Sequence, residues 1–122
     1  ASTVRDEDIK HAKGLAPLLE RIPPQKRGEL LRLSVQDHYT EIVTTRGRQL
    51  VLLRFADALK EIGETQGLQV HRSHWIADTD VVALRKQTGR LLLMTRDGSE
   101  IPVSRSYAAA VQARFTALAP AR

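Results

Sequence analysis

Cysteine is absent from this chain of 122 residues. Disulfide scaffolds, cysteine nucleophiles and the usual zinc fingers are therefore excluded. Long hydrophobic runs are missing too: Leu50–Leu53 and Leu91–Met94 hold four strongly apolar residues each, far short of a bilayer span. Seven glycines stand one at a time, which fits hairpin turns and leaves neither a Gly-x-x-x-x-Gly-Lys phosphate loop nor a Rossmann fingerprint. No Gly-x-Ser-x-Gly elbow is present. Aromatics are only 4%, yet hydrophobic residues reach 42% and charged residues 27%, an ordinary globular composition rather than disorder. The length suits one domain with at most a short appendage. Nineteen Lys and Arg against 14 Asp and Glu leave a net charge of +5, which fits a polyanionic partner as well as a solvated basic surface. The single methionine is Met94 and the chain opens on Ala1, so it reads as a piece of a longer protein.

Residues 1–27 read differently from the rest. A mixed-charge run from Arg5 to Lys10 precedes an apolar patch at Leu15, Leu18, Leu19 and Ile22, whose i, i+3, i+4, i+7 spacing predicts a short amphipathic helix ended by Pro23 and Pro24. We read it as a linker helix from an upstream domain, the alternative being a dimerisation or signalling helix. Residues 28–122 form the second unit, expected to be mainly β with short helices. Leu31, Leu33 and Val35 alternate with Arg32, Ser34 and Gln36 as in a half-buried strand. Tyr39–Thr45 is a second strand, Arg46-Gly47-Arg48 a hairpin turn, and Gln49–Leu53 the return strand. Phe55, Ala56, Leu59 and Ile62 predict a helix ended by Gly63. Short strands at Leu68–Arg72 and Trp75–Ala77 flank a polar His-Arg-Ser-His stretch. Val81–Leu84 pairs with Arg90–Thr95 across Gly89, and Leu91–Met94, lacking alternation, is expected to be covered on both faces. Asp97-Gly98 leads by hairpin to Ile101 and Val103. A last helix starts after the N-cap candidate Ser104, carries Tyr107, Val111, Phe115 and Leu118, and ends before Pro120.

Chemistry is sparse. His71 and His74 invite a metal, but a zinc site needs three or four converging ligands and Arg72 sits between these two; no metal or cofactor is expected, and no catalytic residue is recognised. What remains is three polar junctions: Asp37-His38-Tyr39, His71-Arg72-Ser73-His74 and Ser104-Arg105-Ser106-Tyr107. Rigid strands can present side chains at such places. Arg105 falls in the first turn of the last helix, where the macrodipole disfavours a cation. Either it is an exposed arginine facing solvent, or an anion arrives there, a phosphate at the helix N-terminus with the guanidinium reading a base edge.

The same three segments, in this order, resemble the LytTR DNA-binding domain family, the output module of many bacterial response regulators and some membrane-anchored sensors. The resemblance runs from about Gly28 to Phe115 and rests on Ser34-Val35-Gln36-Asp37-His38-Tyr39, Val70-His71-Arg72-Ser73-His74-Trp75-Ile76 and Asp97-Gly98-Ser99-Glu100-Ile101-Pro102-Val103-Ser104-Arg105-Ser106-Tyr107. Many members carry Asn where this sequence has Ala77 followed by Asp78. The resemblance implies small stacked antiparallel sheets, a β sandwich whose loops enter successive major grooves, usually on tandem repeats. It assigns base and phosphate contacts to His38, Arg72 and Arg105, with His71, Ser73, Ser104 and Tyr107 in support. It also implies self-association on DNA and a cytoplasmic location, free or tethered to the inner membrane face. The N-terminal segment, which has no counterpart in the family's core module, would add self-association through its helix or a connection to an upstream sensor, receiver or membrane domain.

Residues 29–122 hold 13 Lys and Arg against 10 Asp and Glu, a net of only +3. Holding DNA then requires the positive charge to gather on one face, to which Arg46 and Arg48 are expected to add backbone contacts beside Arg72 and Arg105. The reading is a sequence-specific double-stranded DNA-binding output domain of a bacterial transcription regulator and not an enzyme. The alternative is a non-enzymatic protein-interaction module on the same scaffold, using the apolar face around Leu18.

Overall fold

Two antiparallel sheets packed together form the frame in a computed structural model that describes residues 16–115. The first contains β1 (Leu30–Gln36), β2 (Tyr39–Thr44), β3 (Gly47–Val51), β4 (Gly67–His71) and β5 (His74–Ala77), in the order β3-β2-β1-β5-β4. The second contains β6 (Val81–Gln87), β7 (Arg90–Thr95) and β8 (Glu100–Val103) in sequence order. Two helices complete it: α1 (Phe55–Leu59) and α2 (Arg105–Phe115). The mainly β fold with short helices expected from the sequence is the observed one.

Both faces of the first sheet are covered. On one side Leu30, Leu33, Ile42, Trp75 and Ala77 pack with Ala58 of α1 and with Ala16, Leu18, Leu19 and Ile22. On the other, Val70 and Ile76 meet Val81, Leu84, Leu91, Leu93 and Ile101 of the second sheet and Val111 and Phe115 of α2. Each fully buried aliphatic side chain contributes about 1.5–3 kcal/mol relative to exposure. Gly67 is required by this packing: a Cβ there would meet the Trp75 ring at 2.4 Å and the Ile76 carbonyl at 2.5 Å.

Several boundaries move from their expected places. The described end of the N-terminal segment is a 3-10 turn at Pro17–Arg21 and another at Pro24–Lys26, not an amphipathic α-helix. Its apolar side chains belong to the domain's own core, with Leu18 fully buried; the core thus reaches back to Ala16, ahead of residue 28, and that face is not free for a partner. Residues 1–15 lie outside the described residues, as do Leu118 and Pro120. The turn after β2 falls on Thr45-Arg46, and Gly47, at φ +144°, opens β3 two residues earlier than expected. Helix α1 stops at Leu59, well before Gly63, yet Phe55, Leu59 and Ile62 still pack on the core as their spacing suggests. β7 is not uniformly covered: Leu91, Leu93 and Thr95 are buried while Leu92 and Met94 are half-buried.

β1 departs most from simple alternation. A register shift between Leu30 and Arg32 turns Leu30 onto the same core as Leu33, as a β-bulge does. Val35, expected inward, is 38% exposed, while Arg32, expected outward, is 7% exposed. Arg32 lies opposite Ile76 on the face toward the second sheet. Its guanidinium donates to Asp80 at 2.9 Å and to Asp97 at 2.8 Å. The 3.3 Å contact with Ser99 Oγ completes the set. Asp80 is fully buried, in a 3-10 turn at Asp78–Asp80 that leads into β6. Burial pushes the Asp80 carboxyl above its ordinary value, against the pull of Arg32. The Thr95 hydroxyl, then Arg32, hold the Asp97 carboxyl far below the usual carboxylate range.

Removing one partner of a buried ion pair leaves the other charge uncompensated, at a cost of about 3–5 kcal/mol. Arg32→Met should therefore lower unfolding free energy in urea by that amount, and Arg32→Met combined with Asp80→Leu should restore most of it. A single variant as stable as the parent would show that the pair holds nothing together.

Candidate nucleic-acid interface

Strand pairing carries the three polar junctions to one end of the molecule. Gln36 pairs with Tyr39, so Asp37-His38 is the turn between β1 and β2. Asp37 takes φ +56°, a left-handed backbone that few residues other than Gly, Asn and Asp adopt readily, and His38 stands exposed beside it. Ser34 of β1 pairs with His74 of β5, which brings the β4–β5 turn, Arg72-Ser73, to the same end. A hydrogen bond from the Val35 N–H to the Ser73 carbonyl, 3.0 Å, ties the two turns. The Ser104 N–H donates to the Val70 carbonyl at 3.0 Å, which sets the start of α2 beside the end of β4. The chain enters α2 at Arg105, as the Ser104 N-cap position predicts, and the Ser104 carbonyl accepts from the Tyr107 N–H at 3.0 Å.

His38, Arg72 and Arg105 are all exposed, while His71, Ser73, Ser104 and Tyr107 are half-buried behind them. His71 is a brace. Its Nδ1 accepts from the Ser73 backbone N–H at 3.1 Å and lies 3.2 Å from Ser73 Oγ. Those contacts fix the turn that carries Arg72. The His71 and His74 rings meet edge-on with centroids 5.3 Å apart. Burial, then His71, then Arg32 push the His74 imidazole below its ordinary value, so it is neutral at pH 7. Among the described residues no three metal-ligating side chains converge.

Two clefts flank these turns. One, about 450 Å³, is lined by His38, Val35, Tyr39, Leu52, Arg54 and Phe55. The other, about 620 Å³, brings together His71, Ser104 and Arg105 with Arg90 of the β6–β7 hairpin. Arg54 and Arg90 were not singled out by the sequence pattern. Arg54 stands at a strand-to-helix junction just as Arg105 does, and that shared setting is the signal that could have found it. Arg46 and Arg48 are not brought to this end. They sit by the turn at the opposite end of β2, roughly 17 Å away for a six-residue strand. Arg48 there faces Glu41 and Asp97, each at 3.7 Å.

The family model of the LytTr DNA-binding domain matches residues 20–116. Two curated relatives are the heme-containing CO-sensing transcriptional regulators RcoM 1 and RcoM 2 of Paraburkholderia xenovorans (strain LB400). They are 32% identical over 111 residues and 31% over 101. The matches cover 80% and 75% of this chain but 42% and 38% of those proteins, so the chain spans about two fifths of the curated relatives' length. Among solved structures, a LytTr DNA-binding domain from Bacillus cereus superposes with a TM-score of 0.61 at 19% identity, covering 70% of this chain and 79% of that one. This likeness is one of fold.

Because the folded state holds His74 neutral, the unfolded chain binds a proton the folded one refuses. The resulting stability is present above the ordinary histidine value and drains away as pH falls below about 6.5. Thermal unfolding of His74→Gln should fall less than that of the parent between about pH 7 and 5.5. Equal pH slopes for the two proteins would remove His74 from the account.

Proposed function

The chain belongs to the LytTr DNA-binding domain family, and on that premise we propose that it reads specific double-stranded DNA through loops entering the major groove. In this reading it is the cytoplasmic output domain of a bacterial transcription regulator, joined to an upstream sensor, receiver or membrane domain. One observation carries it: exposed His38, Arg72 and Arg105 share one end of the molecule on turns anchored by strand pairing and backbone hydrogen bonds. Preorganised turns present side chains at little further entropic cost, which suits loops that must read base edges. Arg105 supplies a guanidinium fork matched to guanine O6 and N7, and His38 a second hydrogen-bonding tip. The start of α2, where Arg105 and Ser106 are exposed, suits a backbone phosphate. The family is one of DNA-binding domains rather than enzymes.

Tandem repeats fit this arrangement. A domain with few contacts binds weakly alone, and a second copy on the adjacent repeat raises the joint affinity through effective concentration. The protein-interaction reading depends on a free apolar face at Leu18, and that side chain is buried in the core.

Selection of bound duplexes from a random pool, at fixed salt, is the direct test. The parent should enrich a tandem motif. Arg105→Ala should lose about 1–3 kcal/mol on that motif and blur one position of it, with unchanged circular dichroism. His38→Ala should relax a different position. Failure of the folded parent to enrich any duplex would overturn the reading.

A further inference from the structure

The described residues include fifteen Lys and Arg, and they divide sharply by what they touch. Arg21, Arg32, Arg48, Arg85, Arg96 and Arg114 pair with carboxylates. Lys26 and Arg27 donate to backbone carbonyls. The other seven, Arg46, Arg54, Lys60, Arg72, Lys86, Arg90 and Arg105, have no ion-pair partner among the described residues. Five of those seven belong to the end that carries His38. Arg54 lines the cleft with His38, and Arg90 lines the cleft with His71 and Arg105. Lys86 is on the same hairpin as Arg90, its ladder partner Leu91 pairing in turn with Val103 just before Ser104. Within the turns at 37–38, 52–54, 72–73, 88–90 and 104–105 the sequence has one carboxylate, Asp37. A small net charge is thus distributed so that pairing neutralises the flanks and leaves one end strongly positive.

Resting on the proposed reading of double-stranded DNA, we propose that Arg54 and the β6–β7 hairpin, through Arg90 and Lys86, are phosphate clamps bracketing the three reading loops. The geometry suits a duplex. Arg54 follows β3 at one edge of the five-stranded row and Arg72 follows β4 at the other. At about 4.8 Å per strand these edges lie roughly 19 Å apart. The second sheet stacks on one face of the first and sets Arg90 beside Arg105, so free cations stand at both edges of the row. Thr88 and Gly89, at φ +48° and +78°, make a tight hairpin tip beside Arg105. A phosphate needs only a point charge at each bracket, whereas a guanine needs the planar fork.

The test measures affinity of the 122-residue chain for a random-sequence duplex and for the selected duplex across a salt series. Each lost phosphate contact lowers the log–log salt slope by about 0.9. Arg54→Ala with Arg90→Ala should lower it by about 1.8, weaken both duplexes by the same factor and leave the enriched motif unchanged. Arg54→Lys with Arg90→Lys should keep slope and affinity, while Arg105→Lys loses the motif. Arg114→Ala, which removes the same charge from the far end of α2, should leave the slope alone. An unchanged slope in the folded Arg54→Ala, Arg90→Ala variant, with Arg105→Ala still defective, overturns the clamps and spares the reading function. Absence of duplex binding by the parent overturns both.

Discussion

A cation buried between two sheets is the constraint around which this domain is arranged. Arg32 sits on β1, the central strand of the first sheet, and its guanidinium is shared by Asp80 before β6 and Asp97 in the β7–β8 turn. Three segments far apart in sequence therefore meet at one group. An unpaired charge there would cost several kcal/mol, so the two sheets can close only in the arrangement that brings both carboxylates to Arg32. Hydrophobic packing between Ile76, Leu93 and Val111 drives the closure, but apolar surfaces are tolerant of sliding. Directional hydrogen bonds are not, and the fork of Arg32 supplies the register that packing alone leaves loose.

That register reaches the exposed end of the molecule. Ser34, two residues along β1 from Arg32, pairs with His74, and the Ser73 carbonyl accepts from Val35. The second sheet, positioned by Asp80 and Asp97, delivers β8, from which Ser104 bonds back to Val70. His38, Arg72 and Arg105 thus come from different hairpins yet share one frame, because each is a step or two from a strand residue whose partner is fixed. His74, neutral and half-buried between His71 and the influence of Arg32, is where the structural network and the candidate interface touch.

Much of this was legible in the residues, and the part that was not has a common cause. Period-two and period-3.6 patterns located most elements, and Asp97-Gly98 announced its turn, because these signals are local. The order of the three polar segments identified the family and the loops. Arg32 is buried against expectation because alternation alone suggests a strand covered on one face, whereas the second sheet covers the face opposite Leu33 as well. The bulge at Leu30–Arg32 explains only why Leu30 shares the core of Leu33. Leu18, Leu19 and Ile22 were correctly seen as an apolar patch, but periodicity does not say what covers a patch, and their own domain does. Arg46 and Arg48 were grouped with Arg72 and Arg105 by charge alone; only the hairpin geometry shows that β2 separates them.

Ion pairing, rather than composition, decides how this surface presents its charge. A net of +3 over residues 29–122 is too small to mark a face. Asp78 holds Arg114, Glu100 holds Arg85 and Glu29 holds Arg96, and exposed pairs of this kind add little stability individually. Their larger effect is electrostatic: a cation already matched by a carboxylate projects a weak, quickly screened field, so the flanks attract a polyanion poorly. The turns at the reading end, with Asp37 as their one carboxylate, keep theirs. Selection for where acids stand can therefore orient a nearly neutral domain on a polyanion as effectively as adding bases would.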